Sequence, residues 1–128
     1  MSLRCLFIVQ GEGRGHLTQA MSLRRMLVQQ GHRVGEVVVG KSDRRTVPAF
    51  FEETFDAPVT YVDSPSFVSA GDDRSVRMGT TLMHELTRTP SFFDSLSTIQ
   101  AAVDRHDPDV IVNFFEPLGG VYAMWDRT

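Results

Sequence analysis

Three glycines and a histidine, Gly11-Glu12-Gly13-Arg14-Gly15-His16, stand between an apolar run and an amphipathic stretch. Glycines so spaced let backbone N–H groups come close to a ligand, and an imidazole can carry a proton to or from whatever binds there. Two further polar residues, Asn113 and Glu116, stand at the end of another apolar run far downstream. The chemistry on offer is ligand binding on backbone donors beside a proton carrier. It requires elements that bring a glycine turn to the edge of a sheet.

Those elements can be read from the apolar pattern. Leu3 to Val9 predicts a buried strand, and Leu17 to Gln30 a helix closed by Gly31. Val34 to Val39 is a second strand, Lys41 to Thr46 a polar basic connector, and Pro48 opens a short helix through Phe55, with Thr46 or Val47 near its cap. Val59 to Val62 is a third strand. Asp63 to Gly79 is a long polar connection, of a length more often functional than idle. Thr80 to Thr87 reads as a short helix. Thr89-Pro90 starts another, running to Arg105, with Phe92, Leu96, Ile99 and Val103 on one stripe. His106-Asp107-Pro108 breaks it, Asp109 to Phe115 is a fourth strand, and Pro117-Leu118-Gly119-Gly120 leads into a last helix that reaches Thr128.

Hydrophobic strands alternating with helices imply an α/β fold, a Rossmann-like doubly wound parallel sheet. Right-handed crossovers give the strand order 3-2-1-4. The sheet then reverses direction between its first and fourth strands, and a cleft opens there above their carboxyl ends. Residues 11–16 and 113–116 would face each other across that cleft.

The bulk properties bound the function. A chain of 128 residues fits one domain, and 41% hydrophobic with 23% charged residues is an ordinary globular balance. A net charge of −3 argues against a nucleic-acid partner. The single cysteine, Cys5, sits in the first strand and is expected to be a buried structural thiol. No apolar run is long enough to span a bilayer and no signal peptide precedes the first strand, so the expected location is cytoplasmic.

Several familiar sites are excluded by their spacing. The dinucleotide fingerprint needs a third glycine where His16 stands, and the acid that would hold a ribose, Glu36, falls inside a strand. No Gly-Lys-Ser/Thr follows the turn, so it is not a phosphate-binding P-loop. His84-Glu85 lacks the second histidine of a zinc site, and no metal is expected. A phosphorelay receiver is discarded because the acidic pair after the first strand is missing. Two readings of the glycine turn stay open: a ligand loop with a catalytic histidine, or a tight strand-to-helix turn capped by His16.

The run Phe7-Ile8-Val9-Gln10-Gly11-Glu12-Gly13-Arg14-Gly15-His16-Leu17-Thr18-Gln19-Ala20 resembles the first strand, glycine loop and first helix of GT-B glycosyltransferases. It is most similar to the bacterial group that includes the peptidoglycan N-acetylglucosaminyltransferase and UDP-glucuronosyltransferase-like enzymes. Gly31-His32-Arg33-Val34 and Pro108-Asp109-Val110-Ile111 are similar to the entries to their second and fourth strands. Gln10 to Arg14 departs from the plainer glycine runs of the peptidoglycan enzyme, so the acceptor does not carry over.

The resemblance implies the amino-terminal, acceptor-binding half of a two-domain enzyme. No cofactor is implied. The donor is a nucleotide sugar, bound mainly by a carboxyl-terminal half that this chain does not match. It further implies inverting transfer with His16 as general base and Glu116 as the carboxylate that orients it. Gly11, Gly13, Arg14, Gly15, Thr18 and Asn113 would line the substrate site. Each polar residue keeps an ordinary alternative: Glu116 as a solvated loop acid, Asn113 satisfying backbone groups, Arg14 and Thr18 exposed to solvent. His32 reads as turn structure and His106 as a solvated loop residue.

The expected partners are a small-molecule or lipid acceptor and a donor domain in cis or in trans. Residues 47–55, with Lys41, Arg44 and Arg45 before them, could give peripheral membrane contact, although Glu52 and Glu53 oppose it and packing of the phenylalanines on the sheet is the simpler reading. Two other functions fit the same pattern: a stand-alone Rossmann-like module binding a nucleotide or metabolite, and the acceptor subunit of a two-chain transferase.

Overall fold

The computed structural model describes residues 2–11, 14–41, 47–64, 92–114 and 116–125, with only the backbone of Arg14, Pro117 and Trp125. Its elements run β1 (Arg4–Gln10), α1 (Arg14–Gln29), β2 (Arg33–Lys41), α2 (Ala49–Phe55), β3 (Val59–Asp63), α3 (Phe92–His106), β4 (Val110–Phe114) and α4 (Pro117–Trp125). The four strands form one sheet in the order β3-β2-β1-β4, parallel throughout, which is the expected Rossmann-like arrangement. The connection from residue 65 to 91, with the helix expected over 80–87 and His84, lies outside the described residues.

β1 is apolar on both faces because it is covered on both. Leu6 and Ile8 join Val38 and Val62 under α3 and α4, whose Leu96, Ile99, Ala102, Leu118 and Tyr122 close that side. Cys5, Phe7 and Val9 join Val37 and Val39 under α1 and α2, against Leu17, Ala20, Phe51 and Phe55. The Phe7 and Phe55 rings meet edge-on at 6.0 Å. Phe51 and Phe55 are therefore core, as the packing reading expects, while Phe50 remains 45% exposed. Cys5 is buried, and the loss of water around its thiol, with the Asp109 charge nearby, pushes its pKa up.

α1 ends in the way Gly31 predicts. Gly31 has φ +88°, its N–H donates to Val28 O at 3.0 Å, and His32 N–H donates to Leu27 O at 2.9 Å, a Schellman closure. His32 is turn structure: its Nδ1 accepts the Leu3 N–H at 3.0 Å, tying the helix end to the chain that enters β1.

Four differences from expectation stand out among small shifts of strand and helix ends. α1 begins at Arg14, not Leu17, because a helix's first turn need not bury anything and leaves no apolar period to read. Lys41 belongs to β2 and not to a connector; it pairs in register with Asp63, and its Nζ lies 5.8 Å from the Tyr61 ring centre. α4 begins at Pro117, with both glycines in its opening turns. Proline suits the first helical position, and the space a Gly119 side chain would need is filled by Asn113, whose Oδ1 would lie 2.7 Å from a Cβ there.

The fourth difference is His106. It is no solvated loop residue but the last residue of α3, and its Nε2 lies 2.8 Å from Glu36 Oε1. The register of β1 against β2 skips Gly35 between Cys5↔Val34 and Leu6↔Glu36, so a bulge turns Gly35 and Glu36 toward the same helix end. Glu36 is 2% exposed and also accepts from Thr60 Oγ1 at 2.5 Å and Arg105 Nη2 at 3.0 Å. As expected, it stands inside β2.

Candidate functional site

The helices after β1 and β4 leave the sheet on opposite faces: α1 packs with Phe7 and Val9, α4 with Leu6 and Ile8. A parallel sheet opens at its carboxyl edge where the helices diverge in this way, and that edge is where such sheets take ligands. Both candidate segments emerge there. β1 ends at Gln10 and β4 at Phe114, with Val9 and Phe114 paired in register.

Gly11 makes the turn possible by its size. Its N–H donates to Gly40 O at 2.7 Å, and a Cβ would lie 2.7 Å from Val39 Cγ1 and 3.0 Å from that same carbonyl. Gly15 is different. It is exposed in the first turn of α1, and among the described residues nothing lies within 4 Å of where its Cβ would be. His16 follows it, half-buried, in the same turn, and Thr18 is exposed one residue after Leu17. That turn carries no acidic residue, so the positive end of the helix dipole is not offset by its own side chains. Glu12 and Gly13 lie outside the described residues, as does the side chain of Arg14.

Across the edge, Asn113 satisfies backbone groups. Its Oδ1 accepts the Glu116 N–H at 3.1 Å and its Nδ2 donates to Glu116 O at 3.1 Å. These two bonds fold the chain back from β4 into α4 and fix where Glu116 stands. Glu116 is not the solvated acid of the ordinary reading, because it is only 1% exposed. Its Oε1 accepts the Ser64 hydroxyl at 2.7 Å and the Leu118 N–H, at the start of α4, at 3.1 Å.

Its carboxylate lies against the Cα of Gly40 at the end of β2. From β4 it therefore crosses above the end of β1 to β2 and to Ser64, the residue after β3. Gly40 shares the face of Val38, so the Glu116 carboxylate lies on the α3–α4 side. His16 stands in the first turn of α1 on the other side, with the end of β1 between them.

Gln10, Gly40 and Ser64 are the residues that the sequence pattern did not single out. Gln10 and Ser64 are 4% and 5% exposed, and Gln10 pairs with Gly40 in register. The signal was positional: each stands at or just past the carboxyl end of a strand in a sheet whose order was already readable.

Among the described residues no group of three or more His, Cys, Asp or Glu could hold a metal ion, and no helix is long and apolar enough to cross a membrane. Against known proteins, no curated relative and no solved structure matches the chain. A family model does. The model described as glycosyl transferase family 1 matches residues 3–127, taking in the glycine turn, Glu116 and all four strands, and on that match the chain belongs to glycosyl transferase family 1.

Proposed function

We propose that this chain is the acceptor-binding, amino-terminal half of a GT-B enzyme that transfers a sugar from a nucleotide donor, UDP-linked by the resemblance, with inversion in the cytoplasm. The observation that carries the proposal is the first turn of α1. A half-buried histidine stands there beside an exposed glycine whose Cβ position no described residue approaches within 4 Å, at the carboxyl edge of β1 in a family of sugar transferases.

In this reading His16 takes the proton from an acceptor hydroxyl. The freed oxygen bonds to the anomeric carbon of the donor sugar, and the bond from that carbon to the diphosphate breaks. The diphosphate leaves with the electron pair. Gly11, Gly13, Gly15, Arg14 and Thr18 line the acceptor side, and Asn113 holds the opposite wall. The Glu116 charge stabilises the imidazolium that forms, which strengthens the base. The donor is held mainly by a second domain, in cis or in trans. The acceptor is a small molecule or a lipid, the latter reached by peripheral contact with a membrane.

The test uses the full-length protein and a panel of nucleotide sugars, UDP-glucose and UDP-N-acetylglucosamine first, scoring release of the nucleotide. His16→Ala is expected to lower turnover by about 10²–10⁴-fold, the range of a lost general base. A variant that keeps the wild-type rate sinks the assignment of His16. Tight binding of a nucleotide by residues 1–128 alone, with no turnover by the full chain, would instead support a stand-alone binding module.

A further inference from the structure

Glu116 is shaped by three positions remote from one another in sequence. Ser64 donates its hydroxyl from just beyond β3, Leu118 donates its N–H from α4, and Gly40 at the end of β2 leaves the room. Any Cβ at Gly40 would overlap Glu116 Oε2. A carboxylate this far from water persists only where protein donors replace its hydration.

Helix capping does not require so much. Glu116 precedes Pro117 and accepts from Leu118 N–H in the manner of a cap, a task that a short exposed Ser, Thr, Asp or Asn performs. Here a longer side chain is sealed from solvent, seated against β2 and fixed by a hydroxyl from beyond β3. Ser64 is itself anchored, its N–H donating to Lys41 O at 3.1 Å. The hydroxyl therefore sits on the same sheet edge that carries the glycine turn.

We infer that Ser64 and Gly40 are positioning residues for the transfer reaction: Ser64 fixes the direction of the Glu116 carboxylate, Gly40 admits it, and through it both act on the His16 base. The inference rests on the reading of His16 and Glu116 given under Proposed function. It adds the residues that make the carboxylate's placement possible. Acting through Glu116 and not on substrate, they should make their loss felt in the chemical step and not in binding.

The experiment measures kcat and KM for hydrolysis of UDP-glucose and UDP-N-acetylglucosamine by the full-length protein, with water standing in for the acceptor. Ser64→Ala is expected to lower kcat about tenfold, on the scale of one hydrogen bond to a charged group, with KM within about twofold. In a Glu116→Gln background the same change should add less than about twofold, because the group it acts through is already altered. Ser64→Thr, which keeps the hydroxyl, should recover most of the loss. Gly40→Ala should reproduce the Ser64→Ala pattern by displacing the carboxylate. If Ser64→Ala does not fold, Ser64→Cys carries the test, since a thiol keeps the volume and donates only weakly.

An unchanged kcat in Ser64→Ala overturns the inference, and so does an equal loss in the Glu116→Gln background. His16→Ala runs alongside. If it loses activity while the Ser64 variant does not, only the positioning role fails. If it keeps full activity, or if the wild type turns over neither donor, the underlying reading fails first.

Discussion

Two buried carboxylates do different work, and their partners explain why. Glu116 stands at the carboxyl edge of the sheet, where its Oε1 accepts from a hydroxyl and a backbone N–H. Glu36 stands toward the opposite end of the sheet among Thr60, Arg105 and His106, where it ties β2 to β3 and to the end of α3. Burial alone would raise the Glu36 pKa. The hydrogen bonds from Thr60, Arg105 and His106, with the Arg105 charge, outweigh it and hold the pKa below the ordinary glutamate value. A carboxylate with a lowered folded-state pKa contributes stability above its unfolded value and loses it as pH falls through the folded one. Glu36→Gln should therefore destabilise the fold by about 1–3 kcal/mol at neutral pH. It should also flatten the acid side of the stability curve. Urea midpoints of both proteins between neutral and acid pH check this, and parallel curves would mean that Glu36 contributes no linkage. Composition gave no hint of the cluster, because it depends on a bulge at Gly35 that no periodicity announces.

At the scale of the element, strands and helix interiors were legible in the sequence, and so was the short helix after Pro48, while the start of α1 was not. The apolar stripe of α3 is buried as expected, with Phe92, Leu96 and Ile99 in the core and Val103 packed against it. Gly31 marked the end of α1 because only glycine adopts that φ cheaply. The start of α1 was placed three residues late, which put Gly15 and His16 in a turn when they belong to a helix. That difference has a consequence. A glycine in a helix's first turn, with no described residue within 4 Å of its Cβ position, is a poorer helix former than alanine by up to about 1 kcal/mol. Gly15→Ala should leave stability unchanged or raise it by that amount, while raising KM or lowering turnover if the proposed transfer reaction uses this turn. Denaturant titration and donor hydrolysis on the same variant separate the two effects. A variant that is stabler and equally active would show that the position is open for no ligand.

For the whole molecule, the sheet order followed from alternation and handedness, and the core followed from the strands being apolar on both faces. The same rules mark β4 as different. β1 is sealed, with Leu6, Phe7, Ile8 and Val9 fully buried, whereas Val110 and Ile111 in β4 are 39% and 40% exposed. In the described sheet β4 pairs with β1 alone, so its other edge presents backbone donors and acceptors beside two β-branched apolar side chains. Ile111 aligns with Leu6 and so lies on the α3–α4 face, while Val110, paired with Cys5, lies on the other; neither face of β4 is covered as β1 is. A parallel strand built this way is normally buried on both sides, and an open apolar edge is a template for pairing with another chain. The 128-residue chain on its own should therefore self-associate as its concentration rises. Ile111→Lys, which puts a charge on that edge, should keep it monomeric with an unchanged far-ultraviolet circular dichroism spectrum. Sedimentation velocity over a concentration series reads both. A wild-type chain that sediments as a monomer throughout would show that β4 is protected by residues beyond those described, and a lysine variant that still associates would move the contact to another surface.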